Sequence, residues 1–405
     1  CPTDKKILYN GCTGWFLSKS NVKDTVMDKN TLISSFGKWV APINFSHFEK
    51  QVAATNQDKY TKKLTTKAYL MLFLYAHLQE EESLRAISDA VLDEDLGQAL
   101  GLDGISASQL SRKNREVDPS LMANVFLHLV QQIHRHKQGK KRVDLPVKII
   151  DSSTIPLSLS RYKWATFRKT KAGVKLHLRL VFMDKGTVYP EKAIVTPANI
   201  HDRTQLEVLI DEKEAMYVFD RGYVDYERFD RYCDKGIFFA SRLKKNAVIR
   251  TLETFSVAEE SPIMSDSMVV IGTPQKRTEN VFRLIETVDS KGNVIRLVTN
   301  RFDLSAEEIG DIYRSRWAIE LFFKWLKQHV RIKTFFGTSE EAIQNQIFMA
   351  LIAYCLLVLV QMETKAKQSI LQLKRWLKSF LWKSYEKWFH RIQFRSMRRK
   401  RKLST

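Results

Sequence analysis

The sequence predicts an α/β fold: a mixed-sheet core at residues 146–361 interrupted by a β-rich insertion at 245–305, preceded by an all-helical region and followed by a basic helical tail. Three observations predict it. Residues 27–145 are helical text throughout; from 146 onward short β-branched runs that meet acids and turn residues take over; and the chain then returns to helical text, ending in a tail at 362–405 with Lys or Arg at every turn.

The helical elements come first. "LTTKAYLMLFLYAHLQ" has Thr caps and a dense apolar face; "SLRAISDAVLDEDL" and "SASQLSRKNREV" follow, then "DPSLMANVFLHLVQQIHRHK" with Asp118 as cap and Pro119 in the first turn. "QLSRKNRE" offers Gln109, Arg112, Lys113 and Arg115 as a face for a DNA groove, against the plainer reading of a basic surface helix. A basic linker, "HRHKQGKKRVD", ends this region.

Strand text begins with "LPVKIIDSSTIPL", a β-branched run ending in an acid and turn residues, and continues in "GVKLHLRLVFMD" and "VYPEKAIVT". "HDRTQLEVLIDEK" reads as a helix, and "AMYVFDRGYVD" repeats the pattern of apolar strand, acid and turn. The insertion supplies "MVVIGTP", "NVFRLIETVD" and "VIRLVTN". "YRSRWAIELFFKWLKQHV", residues 313–330, reads as one helix whose Tyr313, Arg316, Glu320 and Lys327 fall within a strip roughly 60° wide. Trp376, Trp382, Tyr385, Trp388 and Phe389 interleave with cations in the tail, as in an amphipathic helix on nucleic acid or another subunit.

Composition narrows the function. A chain of 405 residues can hold two or three domains, and a net charge of +21 with pI near 9.7 points to a polyanion, nucleic acid before a membrane surface. The apolar run at 347–360 is shorter than a bilayer span, so it reads as a buried core helix and no membrane partner is expected. Four cysteines, at 1, 12, 233 and 355, show no zinc or disulfide spacing and fit a reducing cytoplasm. Residues 1–26 look like an upstream or non-native extension, too polar for a secretory signal, with Met27 as the natural start.

Asp151 and Asp220 follow apolar strand text, where uncompensated carboxylates cost several kcal/mol, so a cation is expected beside them. Mg²⁺ takes oxygen ligands and keeps positions open for phosphate and water. A third carboxylate completes a two-metal site for in-line displacement, and Glu320 is the only acid in its helix. Alone, an acid after a strand is usually a turn cap and a polar strip usually a solvated face; together they form a joint pattern.

That pattern, Asp151 in "KIIDSSTI", Asp220 in "VFDRGY" and the Y-x2-R-x3-E-x6-K spacing of Tyr313, Arg316, Glu320 and Lys327, resembles the DDE triad and YREK signature of the insertion sequence four family of bacterial transposases. The resemblance covers about residues 27–361. It implies a ribonuclease H-like core, a DNA-binding helical domain at 27–145, and cut-and-paste transposition with two Mg²⁺ ions, Mn²⁺ being able to replace them. An activated water would cut one strand, and the freed 3′-hydroxyl would form a hairpin and later attack target DNA. Asp151, Asp220 and Glu320 would be catalytic metal ligands, Asp151 bridging both ions. Tyr313, Arg316 and Lys327 would hold phosphates and strained nucleotides. The partners implied are double-stranded DNA at inverted-repeat ends and target DNA, with a homodimer as the active complex and a cytoplasmic, nucleoid-associated location.

The sequence departs from the family in one respect. The best-known member stacks an insertion-domain Trp on a flipped base, whereas no Trp lies between Trp164 and Trp317; Phe282 and Phe302 are the substitutes available. Arg242 and Lys244 are further candidate DNA contacts, with Lys245, Lys175, His177, His201 and Asp202 as polar positions without an assigned role. Two rivals share the acids: a metal-dependent nuclease of the same fold without strand transfer, and a catalytically silent, transposase-derived DNA-binding protein.

Overall fold

The computed structural model describes residues 34–138, 145–184, 187–289, 292–330, 332 and 334–401. The expected extension at 1–26 and the start at Met27 lie outside the described residues.

The N-terminal helices are α1 (Ser35–Val40), α2 (Phe45–Ala54), α3 (Thr66–Gln79), α4 (Leu84–Ala90), α5 (Glu94–Leu100), α6 (Ala107–Glu116) and α7 (Pro119–Gln138). Their starts are locally encoded. Thr65 accepts from the Ala68 amide at the head of α3, and Ser106 and Gln109 form a reciprocal capping box on α6. Asp118 accepts from the Ser120 amide at 2.9 Å, leaving Pro119 in the first turn, where its missing N–H has no consequence.

Among the described residues ten strands form one sheet: β1 (Val147–Leu157), β2 (Thr166–Arg168), β3 (Lys171–Asp184), β4 (Thr187–Pro197), β5 (Met216–Phe219), β6 (Phe238–Arg242), β7 (Ile249–Phe255), β8 (Ile263–Ile271), β9 (Phe282–Val288) and β10 (Val294–Thr299). The order is β2-β3-β1-β5-β6-β10-β9-β8-β7, with β4 also paired to β3. An antiparallel β1-β3-β4 meander followed by β5 and β6 parallel to β1 is the ribonuclease H-like arrangement. The insertion is no separate barrel: β10 pairs antiparallel with β6 and extends the core sheet.

The remaining helices are α8 (Leu206–Leu209), α9 (Tyr226–Asp234), α10 (Ala306–Arg314), α11 (Trp317–His329), α12 (Glu340–Thr364), α13 (Ile370–Phe380) and α14 (Tyr385–Arg401). Four expectations change. β1 does not end at its acid but continues to Leu157, because β3 goes on pairing with it beyond Asp151. The helix after His201 shrinks to a 3-10 turn and α8, since Ile210 is already extended. The stretch 313–330 is two helices: the amides of Arg316, Ala318 and Ile319 bond three residues back rather than four, tightening the chain at Ser315–Arg316.

The fourth is the apolar run. It is part of a 25-residue helix, α12, long and apolar enough by length and composition to cross a membrane, yet 72% of its most apolar window is buried in the protein. Its polar side chains serve internal contacts: Asn345 donates to the Val117 carbonyl at 2.8 Å and Gln346 to that of Thr334 at 2.9 Å. One apolar cluster built on α12 runs from Phe36 to Ile392, through α3, α7, β3, α11 and α13. The tail aromatics belong to it: Trp388 is 0% exposed, and Trp382 packs against Phe36 and Tyr75.

Candidate active site

Register builds the site. β1 pairs in parallel with β5 up to Ile150↔Phe219, and β5 with β6 up to Phe219↔Ser241. The next residues on these three strands are Asp151, Asp220 and Arg242, side by side on strands about 4.8 Å apart. Alternation puts them on one face. Ile149, Val218 and Ala240 are in mutual register and lie in the apolar clusters covered by α10 and α11, so the residue two places on from each points the same way. Two carboxylates and a guanidinium thus line the carboxyl edge of the parallel strands, where open α/β sheets bind ligands.

α11 closes the site from above. Ile319, Phe322, Phe323 and Leu326 are buried in the same cluster as Ile149, Leu176 and Leu178, which fixes the rotation of the helix over β1. Glu320 and Lys327 then face the strand: Lys327 Nζ donates to Ser153 Oγ at 2.5 Å, two residues beyond Asp151. Arg316 donates from Nη2 to Glu320 Oε1 at 2.7 Å and brings Nη1 to 3.8 Å from Asp151 Oδ2. The i,i+4 spacing of Arg316 and Glu320 makes this pair.

Two cavities flank that ion pair. One, of about 340 Å³, is lined by Asp151, Ser153, Glu320, Lys324 and Lys327; the other, of about 450 Å³, by Asp220, Arg242, Tyr313, Arg316 and Trp317 among others. Burial pushes the Asp151 carboxyl up to about 6, and the charges of Asp220 and Glu320 push the same way, against the Ser152 amide and Arg316. Burial also raises the Tyr313 phenol to about 12, with Arg316 opposing and Asp220 adding.

Three carboxylates are thus in electrostatic contact with a single guanidinium standing between two of them. Among the described residues no group of three His, Cys, Asp or Glu side chains is gathered closely enough to hold a metal ion. The donor set nevertheless fits a hard divalent cation: it is all oxygen, it lacks positive charge, and Arg316 stands in for that charge.

The other expected residues divide. Arg242 lines the Asp220 cavity, while Lys244 and Arg112 are exposed. Lys113 departs from expectation: it is 8% exposed with Nζ 2.5 Å from Asp58, because it shares the inner face of α6 with Leu110 and Asn114. Phe282 is also excluded as a base platform, being 0% exposed among Phe229 and Phe239, whereas Phe302 is exposed. Lys175, His177 and Asp202 sit behind β1, on the opposite face from Asp151. There Asp202 accepts from Ser152 Oγ at 2.6 Å and lies 3.1 Å from Lys175 Nζ.

Trp317 joins the site although the sequence pattern does not single it out. It is 56% exposed and lines the Asp220 cavity, because it opens α11 just after the tightened turn. The only available signal was its place at the edge of the polar strip. Arg221 and Arg296, beside Arg242, were also missed.

The family model described as "Transposase DDE domain" matches residues 143–356, and a model of a domain of unknown function matches residues 31–95. A protein of Geobacillus stearothermophilus named as a probable transposase for insertion sequence element IS5377 is 31% identical over 76% of this chain and 80% of its own length. One of Synechocystis sp. (strain ATCC 27184 / PCC 6803 / Kazusa), named as a transposase for insertion sequence element IS4SA, is 24% identical over 87% of this chain and 99% of its own. A piggyBac transposase synaptic complex with hairpin DNA aligns with TM-score 0.47 and 8% identity over 85% of this chain and 79% of that one, a likeness too loose to bear on mechanism.

Proposed function

The chain belongs to the DDE transposase family, and on that premise we propose that it cuts the ends of its own insertion element and joins them to target DNA by cut-and-paste transposition through a hairpin intermediate. The observation that carries this reading is the register that sets Asp151 beside Asp220 under Glu320.

DDE transposase domains use divalent metal ions. Here Asp151, Asp220 and Glu320 would hold two Mg²⁺ ions, which when bound activate the attacking oxygen and neutralise the leaving one. The chain's own residues do the rest. Arg316 exchanges its carboxylate contacts for a phosphate, with which a guanidinium makes paired hydrogen bonds. Lys327, held at Ser153, presents a point charge on the far side of Glu320. Tyr313, buried with its phenol kept protonated, donates a hydrogen bond toward the Asp220 cavity. Arg242, Lys244 and Arg112 contact DNA backbone further out. The active complex is a homodimer on element ends in the cytoplasm, at the nucleoid.

The test is cleavage of a duplex carrying the inverted repeat that flanks the gene, with Mg²⁺. Asp151→Ala, Asp220→Ala and Glu320→Ala are each expected to abolish nicking while retaining end binding. Full activity in any of them would sink the triad. Nicking without hairpin or joined product would favour the nuclease reading.

A further inference from the structure

The carboxyl edge of the sheet does not stop at Arg242. β10 pairs antiparallel with β6 at Leu297↔Arg242, which brings Arg296 of the insertion beside the core. Arg221 follows Asp220 directly, and Lys245 lies just past the end of β6. These four cations line one groove of about 400 Å³, with Leu243, Asn293 and Val294 as the remaining walls. The groove adjoins the Asp220 cavity, since Arg221 and Arg242 line both.

Among the described residues none of the four makes an ion pair with a carboxylate. Arg296 is aimed by backbone instead, donating Nη2 to the carbonyl of Lys245. Four like charges gathered without counter-ions repel one another, so the fold gains nothing from the cluster by itself. A polyanion reverses that sign, and a guanidinium fixed by a backbone carbonyl, as that of Arg296 is, is organised in advance for phosphate oxygens.

We propose that this groove is a phosphodiester track: it holds one DNA strand as that strand passes from the carboxylate site toward the β insertion. The proposal rests on the reading of the chain as a DNA-cutting enzyme. It gives the insertion a task at the site itself, because the edge that carries Asp151, Asp220 and Arg242 runs into a groove where Arg296 of β10, on the other face from Leu297, joins Arg221, Arg242 and Lys245. A strand lying along the edge meets the carboxylates at the scissile phosphate and the guanidinium groups at the phosphates beyond.

Arg221→Gln and Lys245→Gln test it. Both side chains are exposed, so neither change threatens the fold. Binding of a fluorescent duplex bearing the flanking inverted repeat is titrated at several NaCl concentrations. The slope of log K against log salt is expected to fall by about 0.9 for each cation removed, roughly additively in the double variant. A photo-crosslinker at position 245 is expected to label one strand within a few nucleotides of the cut. If wild-type protein cuts the duplex while the double variant keeps the wild-type slope and position 245 labels nothing, the track is overturned and the enzymatic reading stands. If wild-type protein neither binds nor cuts, both fall together.

Discussion

Arg316 and Glu320 are joined across one turn of α11 by a 2.7 Å ion pair that stands between the Asp151 cavity and the Asp220 cavity. The pair is partly exposed, so its contribution to stability is small, about 1 kcal/mol or less. Its larger effect is competition: the guanidinium holds carboxylate oxygens that a divalent ion needs. Arg316→Gln is therefore expected to bind Mg²⁺ several-fold more tightly by calorimetry while cutting DNA at least about tenfold more slowly, since a phosphate contact goes with it. Wild-type values for both would show that the pair is incidental.

Asp151 gives a prediction in pH. Burial lifts its carboxyl to about 6 from 3.8, so the metal-free folded protein holds this proton more tightly than the unfolded chain does. The stabilisation from that proton is fully present below the unfolded value, fades as pH rises through 6, and is absent at neutral pH. Asp151→Asn removes the buried charge. It is expected to raise the metal-free melting temperature at neutral pH by the equivalent of about 2 kcal/mol, a gain that shrinks as pH falls from 6 toward 3.8. Adding Mg²⁺ should invert the order, stabilising wild type alone. A variant less stable than wild type at neutral pH without metal would contradict this account.

What the sequence could disclose followed the range of the interaction. The three acids stand out in the sequence because each interrupts apolar text, and the helical caps were legible because Ser106 and Gln109 or Asp118 and Pro119 act within three residues. Register was not legible. No local pattern says that Ile150 faces Phe219 or that Leu297 faces Arg242, so the gathering of Arg221, Arg242, Lys245 and Arg296 in one groove was invisible. Helical periodicity misled where burial comes from a distant element. Lys113 looked solvated until Asp58 came to it, and Trp388 looked like a DNA or subunit contact until α1 and α12 enclosed it.

A buried charge network ties the helical region to the sheet. Glu191 on β4, 4% exposed, lies 2.6 Å from Arg179 Nε, 3.0 Å from Lys148 Nζ and 2.9 Å from His134 Nε2 on α7. Burial alone would raise its carboxyl, but His134, Arg179 and Lys148 hold it at about 2. Its stabilisation is complete above the ordinary carboxylate range and is lost as pH falls toward 2. Glu191→Gln leaves two buried cations undercompensated and is expected to cost about 3–5 kcal/mol in urea denaturation. A loss below about 1 kcal/mol would mean that Glu212 and Asp211, which also reach Arg179, suffice.

The C-terminal helices hold the active-site helix α11 at its end. Lys374 on α13, 3% exposed, pairs with Glu80 at 2.6 Å and donates to the carbonyl of His329, the last residue of α11. α1 is tied to the link between α13 and α14 by the Ser35 and Phe36 amides, which donate to the carbonyls of Lys383 and Leu381 at 2.8 and 2.9 Å. Trp388→Ala empties a fully enclosed indole site and is expected to cost about 3–5 kcal/mol. Lys374→Met keeps most of the packing but frees the end of α11 and leaves Glu80 without its cation. It is expected to slow cleavage more than it weakens DNA binding, because Glu320 and Lys327 ride on that helix. Deleting residues 365–405 removes both supports, and calorimetry should then show loss of cooperative unfolding. A truncated protein that melts cooperatively near the wild-type temperature would show that α12 alone holds α11 in place.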